Sequence, residues 1–298
     1  MLPMLLTGCD SVEPANDNLL VIEGFFNAGA PLPLVTISKA SPLEQSTAST
    51  AEFIRDASFK IFIDDQEIIY TPSSSSPGKY APLDNTLEIV PANADLRAEI
   101  TWQSQKATTQ DFIPPSISID SVSIDIPEQP VAAILVDTLR LDNPEVGARQ
   151  GYIYAIDVAI SWTASHSDLD AADSDSSYWV EARLIPQTDF SSTVLDVFLL
   201  TEDVQLESKL TTENTEKGSW SGIYAIPVAD SLSPPPTHNL TVQLIRGTKA
   251  YADFAASKNA PERREPVSNI DGAIGVLAGI ALDAIEFEVT NGLATTRR

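Results

Sequence analysis

The sequence predicts an all-β protein built from two β-sandwich domains, with one short helix in the second domain. Apolar and polar residues alternate with a period of two from Leu19 onward, which is typical of strands that bury one face. The alternating segments are short, rich in β-branched and aromatic residues, and separated by turn residues. A length of 298 residues suits two domains, each large enough to bury its own core.

The first domain is predicted to span residues 19–113. Its clearest strand runs from Leu96 to Trp102, where even-numbered residues form an apolar face and odd-numbered residues a polar one. Asp64-Asp65 is predicted to close a hairpin, and Pro77-Gly78 to break the chain. Further strands are predicted at Leu19–Phe26, Pro33–Ser38, Ser58–Ile63, Glu67–Tyr70 and Thr86–Val90. This spacing of strands is typical of an immunoglobulin- or fibronectin-like sandwich.

Consecutive prolines mark the boundary between the two domains. Pro114 and Pro115 supply no donors to a strand ladder and hold the backbone extended. The second domain is therefore predicted to span residues 116–291, followed by a tail at residues 292–298. Early in this domain the apolar residues change phase, which predicts a β-bulge or a break near Asp120-Ser121.

Four further segments of the second domain alternate with the period of a strand. The longest places its large residues on one face and is the clearest of the four. The predicted strands are Tyr152–Trp162, Tyr178–Leu184, Leu240–Leu244 and Ile285–Val289. An apolar run with Gly272, Gly275 and Gly279 is interpreted as close-packed turns and a buried strand.

Two segments of the second domain depart from this period. Tyr251, Phe254 and Ala255 recur at helical spacing within residues 248–259, and Pro261 follows. We expect a short helix here that plugs one end of the second sandwich. Residues 201–219 are rich in Asp and Glu and are expected to form an exposed acidic hairpin or loop.

The composition excludes several classes of function. The chain has 18 Lys and Arg against 42 Asp and Glu, a net charge of −24. No basic surface is therefore expected for nucleic acid, and an anionic membrane surface would repel the body of the protein. A single cysteine excludes an internal disulfide, a two-cysteine redox centre and a metal site built on a cysteine cluster.

The N-terminal segment ends in Leu6-Thr7-Gly8-Cys9, and the chain turns polar immediately afterwards. The apolar stretch is too short to span a membrane, and it lacks a basic leader, which we interpret as a start site assigned too late. The pattern resembles a bacterial lipoprotein signal, in which the cysteine is acylated. Residues 1–9 are thus predicted to be a signal remnant ending at a lipidated Cys9, and residues 10–18 a tether. The alternative is that Cys9 is an ordinary buried thiol.

Two further motifs partly match known functional sites. Four aspartates lie between Asp168 and Asp175, but their spacing does not match an EF-hand, so this loop is either a solvated connection or a weak calcium site. The segment Gly218–Gly222 has Trp220 where a nucleophile elbow needs serine. It is interpreted as a turn that leads into a strand at Gly222–Pro227.

Histidine and tryptophan supply the remaining candidates. His166 and His238 are the only imidazoles, and both are expected to be surface residues because no nucleophile motif accompanies them. Trp179 and Trp220 are candidates for an exposed platform that binds glycans, or else for core positions. No catalytic residue, cofactor site or metal site is predicted. Cys9 is the one predicted site residue.

Five segments, in this order and spacing, resemble the lipoproteins of the domain-of-unknown-function family DUF4249 of Bacteroidota and relatives. They are Leu20–Asn27, Val35–Ser38, Pro77–Tyr80, Pro114–Ile117 and Glu265–Gly272. The resemblance covers nearly the whole chain from Cys9. The chain departs from the family at Ala273–Leu277, where the family usually has a second glycine and then an aromatic residue.

The resemblance implies a lipoprotein at the outer membrane, facing the periplasm or the cell surface and often encoded beside a TonB-dependent transporter. It implies no established activity, and only Cys9 carries over, as the acylation site. Asp10 and Glu13 partly match an acidic surface-export signal. We therefore expect a non-enzymatic, outer-membrane-anchored accessory or binding partner of such a transporter. A surface glycan-binding or adhesive module is the alternative, and a hydrolase is a third hypothesis.

Overall fold

The computed structural model describes residues 19–39, 52–83, 87–137, 148–163, 178–187, 192–194, 202–206, 217–258, 266–290 and 292–297. Within these ranges the chain forms eighteen strands in two sheets and one helix. The all-β fold class and the single short helix in the second half are thereby confirmed.

Eight strands precede the double proline. They are β1 (Leu20–Asn27), β2 (Val35–Lys39), β3 (Glu52–Phe53), β4 (Ser58–Ile63), β5 (Gln66–Pro72), β6 (Lys79–Pro82), β7 (Ala94–Trp102) and β8 (Gln105–Ile113). β7 alternates between buried and exposed residues as predicted. The predicted hairpin between β4 and β5 is also present, with Asp64 in the left-handed region at a φ of 50°.

The other strands and the helix follow the double proline. They are β9 (Ile119–Asp125), β10 (Val131–Asp137), β11 (Ala148–Thr163), β12 (Trp179–Gln187), β13 (Ser192–Val194), β14 (Glu202–Leu206), β15 (Lys217–Val228), β16 (His238–Gly247), α1 (Lys249–Ser257), β17 (Ile274–Thr290) and β18 (Leu293–Arg297). The register of β9 on β11 skips Asp120, which confirms the predicted bulge.

The larger sheet contains strands from both predicted domains. Its order is β14-β12-β16-β17-β1-β2-β6-β5-β4-β7-β8, with β18 added to β17 and β3 to β2. The join is β1, which pairs in parallel with β17 from Val21 opposite Ile274 to Asn27 opposite Ile280. The smaller sheet has the order β13-β10-β11-β15, with β9 also on β11. The division at residues 114–115 stays a prediction, but the two predicted units share this continuous sheet.

The first core lies inside the curled half of the larger sheet. Phe26 on β1 and Tyr70 on β5 have ring centroids 6.4 Å apart, although three strand spacings, about 14 Å in a flat sheet, separate their strands. The curl ends where β8 meets the segment before β17. There Thr108 and Asp271 exchange backbone hydrogen bonds of 3.0 and 2.8 Å.

The second core lies between the smaller sheet and β12, β16 and β17 of the larger one. Buried residues of these strands follow the faces predicted from their alternation. They include Ile156, Val158, Ile160, Val180, Leu184, Leu240, Val242, Leu244 and Phe287. This half of the molecule is thus a two-sheet sandwich, as expected.

Helix α1 forms within the predicted residues but packs in a different place. Tyr251 contacts Phe25 of β1, with ring centroids 6.0 Å apart, and shares a third buried cluster with Val276 and Ala278 of β17. These residues lie on the face of the larger sheet that points away from the first and second cores. The expected position at an end of the sandwich is therefore wrong, because β1 joins the sheet and creates an apolar outer face that needs cover.

The predicted strand at residues 86–90 is also wrong for residues 87–90, which are the ones that the structure describes. Leu87 to Val90 form no strand, and Val90 exchanges two 2.8 Å backbone hydrogen bonds with Gly29 and Ala30 in the turn after β1. Val90 is fully buried, so the apolar residue that suggested a strand anchors a loop instead.

The predicted turn at residues 218–222 is instead continuous strand within β15. These residues pair with Val158 to Trp162 of β11. Gly218 is required because a Cβ there would lie 2.1 Å from the Trp162 side chain. In the acidic segment, residues 202–206 form the edge strand β14, and residues 207–216 lie outside the described residues.

Candidate functional site

A polar groove of about 380 Å³ lies on the outer face of β4, β7 and β8, on the side of the sheet opposite the first core. One wall is the segment at residues 269–271, which closes the curled sheet. The side chains that give the groove its chemistry are Phe62, Arg97, Glu99, Thr108, Gln110, Asn269 and Asp271.

The register of the sheet arranges these side chains in two rows. In one row, Arg97 on β7 lies between Phe62 on β4 and Gln110 on β8. In the next row, Glu99 lies between Lys60 on β4 and Thr108 on β8. Thr108 is itself paired with Asp271. The two rows are about 7 Å apart, because residues two positions apart on a strand share a face.

Arg97 is fixed at the middle of the first row. Its guanidinium carbon lies 5.4 Å from the Phe62 ring centroid, a cation–π geometry. Its Nη2 also donates to the carbonyl oxygen of Asp64 at 3.4 Å. Asp64 is held in turn, because its Oδ1 accepts a 2.9 Å hydrogen bond from the backbone N–H of Asp95. The β4–β5 hairpin therefore positions Arg97, the cation among the described residues that line the groove.

Asn269 builds the wall of the groove. Its Oδ1 accepts from the N–H of Leu277 at 3.0 Å, and its Nδ2 donates to the Leu277 carbonyl at 2.8 Å. Thr109 donates its hydroxyl to the Asn269 carbonyl at 2.8 Å. Gly272, at a φ of +81°, lets the chain pass where a Cβ would lie 2.3 Å from the Lys106 carbonyl oxygen. The wall is thus rigid, and Asn269 has a structural role.

The groups left free to bind a ligand are Glu99, Gln110 and Asp271. All three are exposed, and none makes a side-chain hydrogen bond or ion pair within the described part of the chain. Two carboxylates, one amide and the remaining donors of Arg97 therefore face the groove together. Among the described residues, no group of three or more His, Cys, Asp or Glu side chains could hold a metal ion.

Asp111 is a half-buried carboxylate on β8 that faces away from the groove. It accepts a 2.9 Å hydrogen bond from the Thr248 hydroxyl, just before α1, and a 3.0 Å hydrogen bond from the N–H of Gly279 on β17. Burial raises its pKa from 3.8 to about 6, although these hydrogen bonds act in the opposite direction. Asp111 thus joins three distant segments at the cost of burying a charge.

This buried charge predicts a pH-dependent stability. Because the pKa of Asp111 is higher in the folded state, folding takes up a proton between about pH 4 and 6. Relative to an Asp111→Asn variant, the wild-type free energy of unfolding should fall by about 2 kcal/mol as pH rises from 4 to 7. Urea denaturation of both proteins at several pH values measures this difference. Parallel pH profiles would contradict it.

His238 is buried, so the expectation of a surface histidine is wrong. Its side chain is 5% exposed, and its Nδ1 donates to the Pro236 carbonyl at 2.8 Å. Its Nε2 then accepts from the Tyr224 hydroxyl, also at 2.8 Å. Burial lowers the pKa of His238 and raises that of Tyr224. The signal was available in the sequence, because position 238 continues the inward phase of Leu240 and Val242.

The two tryptophan candidates lie in different environments. Trp220 is 6% exposed and belongs to the second core, so it cannot serve as a platform. Trp179 is half-buried at the start of β12, on the face opposite Val180 and the second core. The alternation had placed Trp179 out of phase with the core, and the structure agrees.

A second polar cluster lies under α1, and both oxygens of its buried carboxylate have hydrogen-bond partners. Glu181 is 1% exposed, and its Oε1 accepts from Arg183 Nε at 2.5 Å. The hydroxyl of Tyr251 donates to the other carboxylate oxygen. One oxygen of this buried carboxylate therefore attaches α1 to β12, and the other holds Arg183 on the same strand.

Three predicted features lie outside the described residues: Cys9, His166 and the Asp168–Asp175 loop. In the part of the chain that the structure does describe, no helix has the length and apolar character needed to cross a bilayer.

Sequence reasoning did not identify the groove. Arg97 and Glu99 were visible only as the polar face of a strand, while Asn269 and Asp271 stood in one of the segments that carry the family resemblance. Their meeting depends on the curl of the sheet and on a pairing between residues 108 and 271. No local pattern in the sequence encodes that pairing.

Comparison with known proteins gives a family but no characterised relative. The family model described as "Domain of unknown function (DUF4249)" matches residues 10–283, nearly the whole chain. Searches among curated proteins and among solved structures found no match. The match spans the curled sheet, the groove and most of the sandwich. The chain therefore belongs to the DUF4249 family.

Proposed function

We propose that this protein is a non-enzymatic lipoprotein of the outer membrane that binds a ligand as an accessory of a TonB-dependent transporter. The observation that carries the binding role is the groove. Its wall is fixed by Asn269, its cation is fixed by Phe62, and the side chains of Glu99, Gln110 and Asp271 lack protein partners in the described residues. A rigid surface with unsatisfied polar groups is suited to recognition.

Hydrolysis with His238 as the base is disfavoured by the state of this buried histidine. Both ring nitrogens of His238 are engaged by Tyr224 and Pro236. A general base needs a free nitrogen within reach of a proton on the substrate. Arg97, the cation among the described residues that line the groove, does not lose its proton in proteins and cannot act as a base either.

The proposed anchor is Cys9, followed by a polar tether. The ten residues from Cys9 to Leu19 can span at most about 35 Å when fully extended. Such a tether would hold β1 and the curled sheet close to the outer membrane. The net charge of −24 would keep the body of the protein from lying on an anionic surface.

Affinity purification from the native host tests the anchor and the partner together. The tagged full-length chain is extracted with detergent from outer membranes, and bait and companions are identified by mass spectrometry. We expect an acylated Cys9 and a transporter barrel in stoichiometric amount. A Cys9→Ser variant should lose the acyl mass and leave the membrane fraction. An unacylated wild-type bait without a companion would contradict the proposal.

The alternative, a surface glycan-binding or adhesive module, is favoured by the same groove. The two functions differ in their partners. An accessory protein copurifies with a transporter, whereas a free-standing module binds its ligand without one.

A further inference from the structure

We propose that the groove between β7, β8 and residues 269–271 binds a neutral carbohydrate, such as a short oligosaccharide of uncharged pyranoses. The inference rests on the proposed binding function and specifies the chemical class of the ligand. The groups that carry it are Arg97, Glu99, Gln110 and Asp271.

The charges of the groove disfavour ligands with a large net charge. Arg97 lies in the row next to Glu99. The Glu99 row runs from Lys60, which is neutralised by an ion pair with Glu67, to Asp271 at its far end. An anionic ligand would meet two carboxylates, and the −24 charge of the chain adds to that repulsion. A cationic ligand would meet Arg97, which is already stacked on Phe62 at the centre of the groove. A neutral ligand avoids both penalties.

The hydrogen-bonding groups match a polyhydroxylated ligand. Each hydroxyl of a sugar can donate to one group and accept from another. Glu99 and Asp271 are acceptors, Arg97 is a donor with N–H groups beyond its bond to Asp64, and Gln110 is both. Hydrogen bonds to ionised groups are stronger than those between neutral groups. The groove offers a neutral ligand both anionic acceptors and a cationic donor.

The dimensions of the groove suit linked sugar rings. From Phe62 across β7 to Gln110 is about 10 Å, and the second row lies about 7 Å away. This is the footprint of two pyranose rings laid across the strands, and the groove volume is about 380 Å³. Arg97 covers the Phe62 ring, so recognition should depend on hydrogen bonds more than on aromatic stacking.

The groove is also prepared for binding before a ligand arrives. Asn269 is locked to Leu277 by two hydrogen bonds, and Thr108 is locked to Asp271 by two more. Little backbone order is therefore left for a ligand to impose, and the entropic cost of binding is reduced.

Binding to a defined set of sugars tests the proposal. The full-length Cys9→Ser chain is titrated by calorimetry with maltotriose, cellotriose, laminaritriose, xylotriose and mannotriose. Trigalacturonate and the chitosan trimer serve as anionic and cationic probes. We expect binding to at least one neutral trisaccharide and weaker or no binding to the charged ones. Arg97→Ala and Asp271→Asn should each weaken that binding at least tenfold.

The matched control is Arg297→Ala, which removes an exposed arginine that pairs with Glu288 on β17, outside the groove. It should leave sugar affinity unchanged, and the melting temperature of each variant shows that it is folded. Should none of the neutral sugars bind, should a charged probe bind best, or should Arg97→Ala bind like the control, the proposal is overturned. Copurification of a transporter without sugar binding would refute this inference alone. Sugar binding without a transporter would refute only the accessory role.

Discussion

Replacing Gly275 with alanine is expected to destabilise the folded protein by about 4 kcal/mol, a loss at the extreme of what single substitutions cause. Gly275 has a φ of +113°, which side chains rarely tolerate, and it lies opposite Ile22 in the parallel pairing of β17 with β1. A Cβ at this position would lie 2.0 Å from the Ile22 carbonyl oxygen. The backbone of one strand must therefore move, and the pairing that joins the two halves of the larger sheet is disrupted.

A second glycine allows the cost of the backbone conformation to be separated from the cost of the collision with Ile22. Gly292 also has a positive φ, +76°, but a Cβ there would meet nothing within 4 Å. Gly292→Ala is therefore expected to cost only about 1 kcal/mol, the price of the left-handed conformation. Urea denaturation followed by tryptophan fluorescence and circular dichroism measures both variants. Equal losses in the two proteins would show that contact with Ile22 is unimportant.

Replacing Arg246 with methionine is expected to cost about 2–4 kcal/mol, because backbone carbonyls that it satisfies lose their hydrogen-bond donor. Arg246 is 1% exposed, and its Nη1 donates to the carbonyl oxygens of Pro115 and Ser116 at 3.1 and 2.9 Å. Its guanidinium carbon also lies 5.9 Å from the Tyr178 ring centroid. Methionine fills the space but leaves the carbonyls without their donor, and buried Pro115 loses its attachment to β16.

Limited proteolysis tests this prediction at the segment between the two predicted domains, residues 114–118. In the Arg246→Met variant, cleavage near residues 114–118 should become faster than in the wild type, in parallel with the loss of unfolding free energy. Arg297→Ala is the control, because its side chain is half-exposed and its ion pair with Glu288 contributes less than about 1 kcal/mol. A stable variant with an uncut linker would mean that Arg246 does not hold the two halves together.

Local features of this fold could be predicted from the sequence. The alternation of β7, the hairpin at Asp64 and the bulge at Asp120 each depend on the period or phase of a few neighbouring residues. The helix around Tyr251 was predictable for the same reason. Strand prediction was wrong where an apolar residue is buried in a loop and not in a strand, as Val90 is.

Long-range features could not be predicted in this way. The parallel pairing of β1 with β17 places Asn27 beside Leu282, 255 residues apart in sequence, with a 3.0 Å hydrogen bond between them. The position of α1 and the closure of the curled sheet both follow from that pairing. The groove could not be foreseen for the same reason, since Arg97 and Asp271 become neighbours only after the sheet curls.

The pairing of β1 with β17 also determines how early the N-terminal half can complete its sheet during synthesis. β1 leaves the ribosome early, yet its partner begins only at Ile274. Until then one whole edge of β1 has no strand to pair with, and long-range pairings of this kind form slowly. The nascent N-terminal half therefore keeps this edge of β1 unpaired throughout most of synthesis. The native pairing of β1 is therefore reached only after the last long strand has been made.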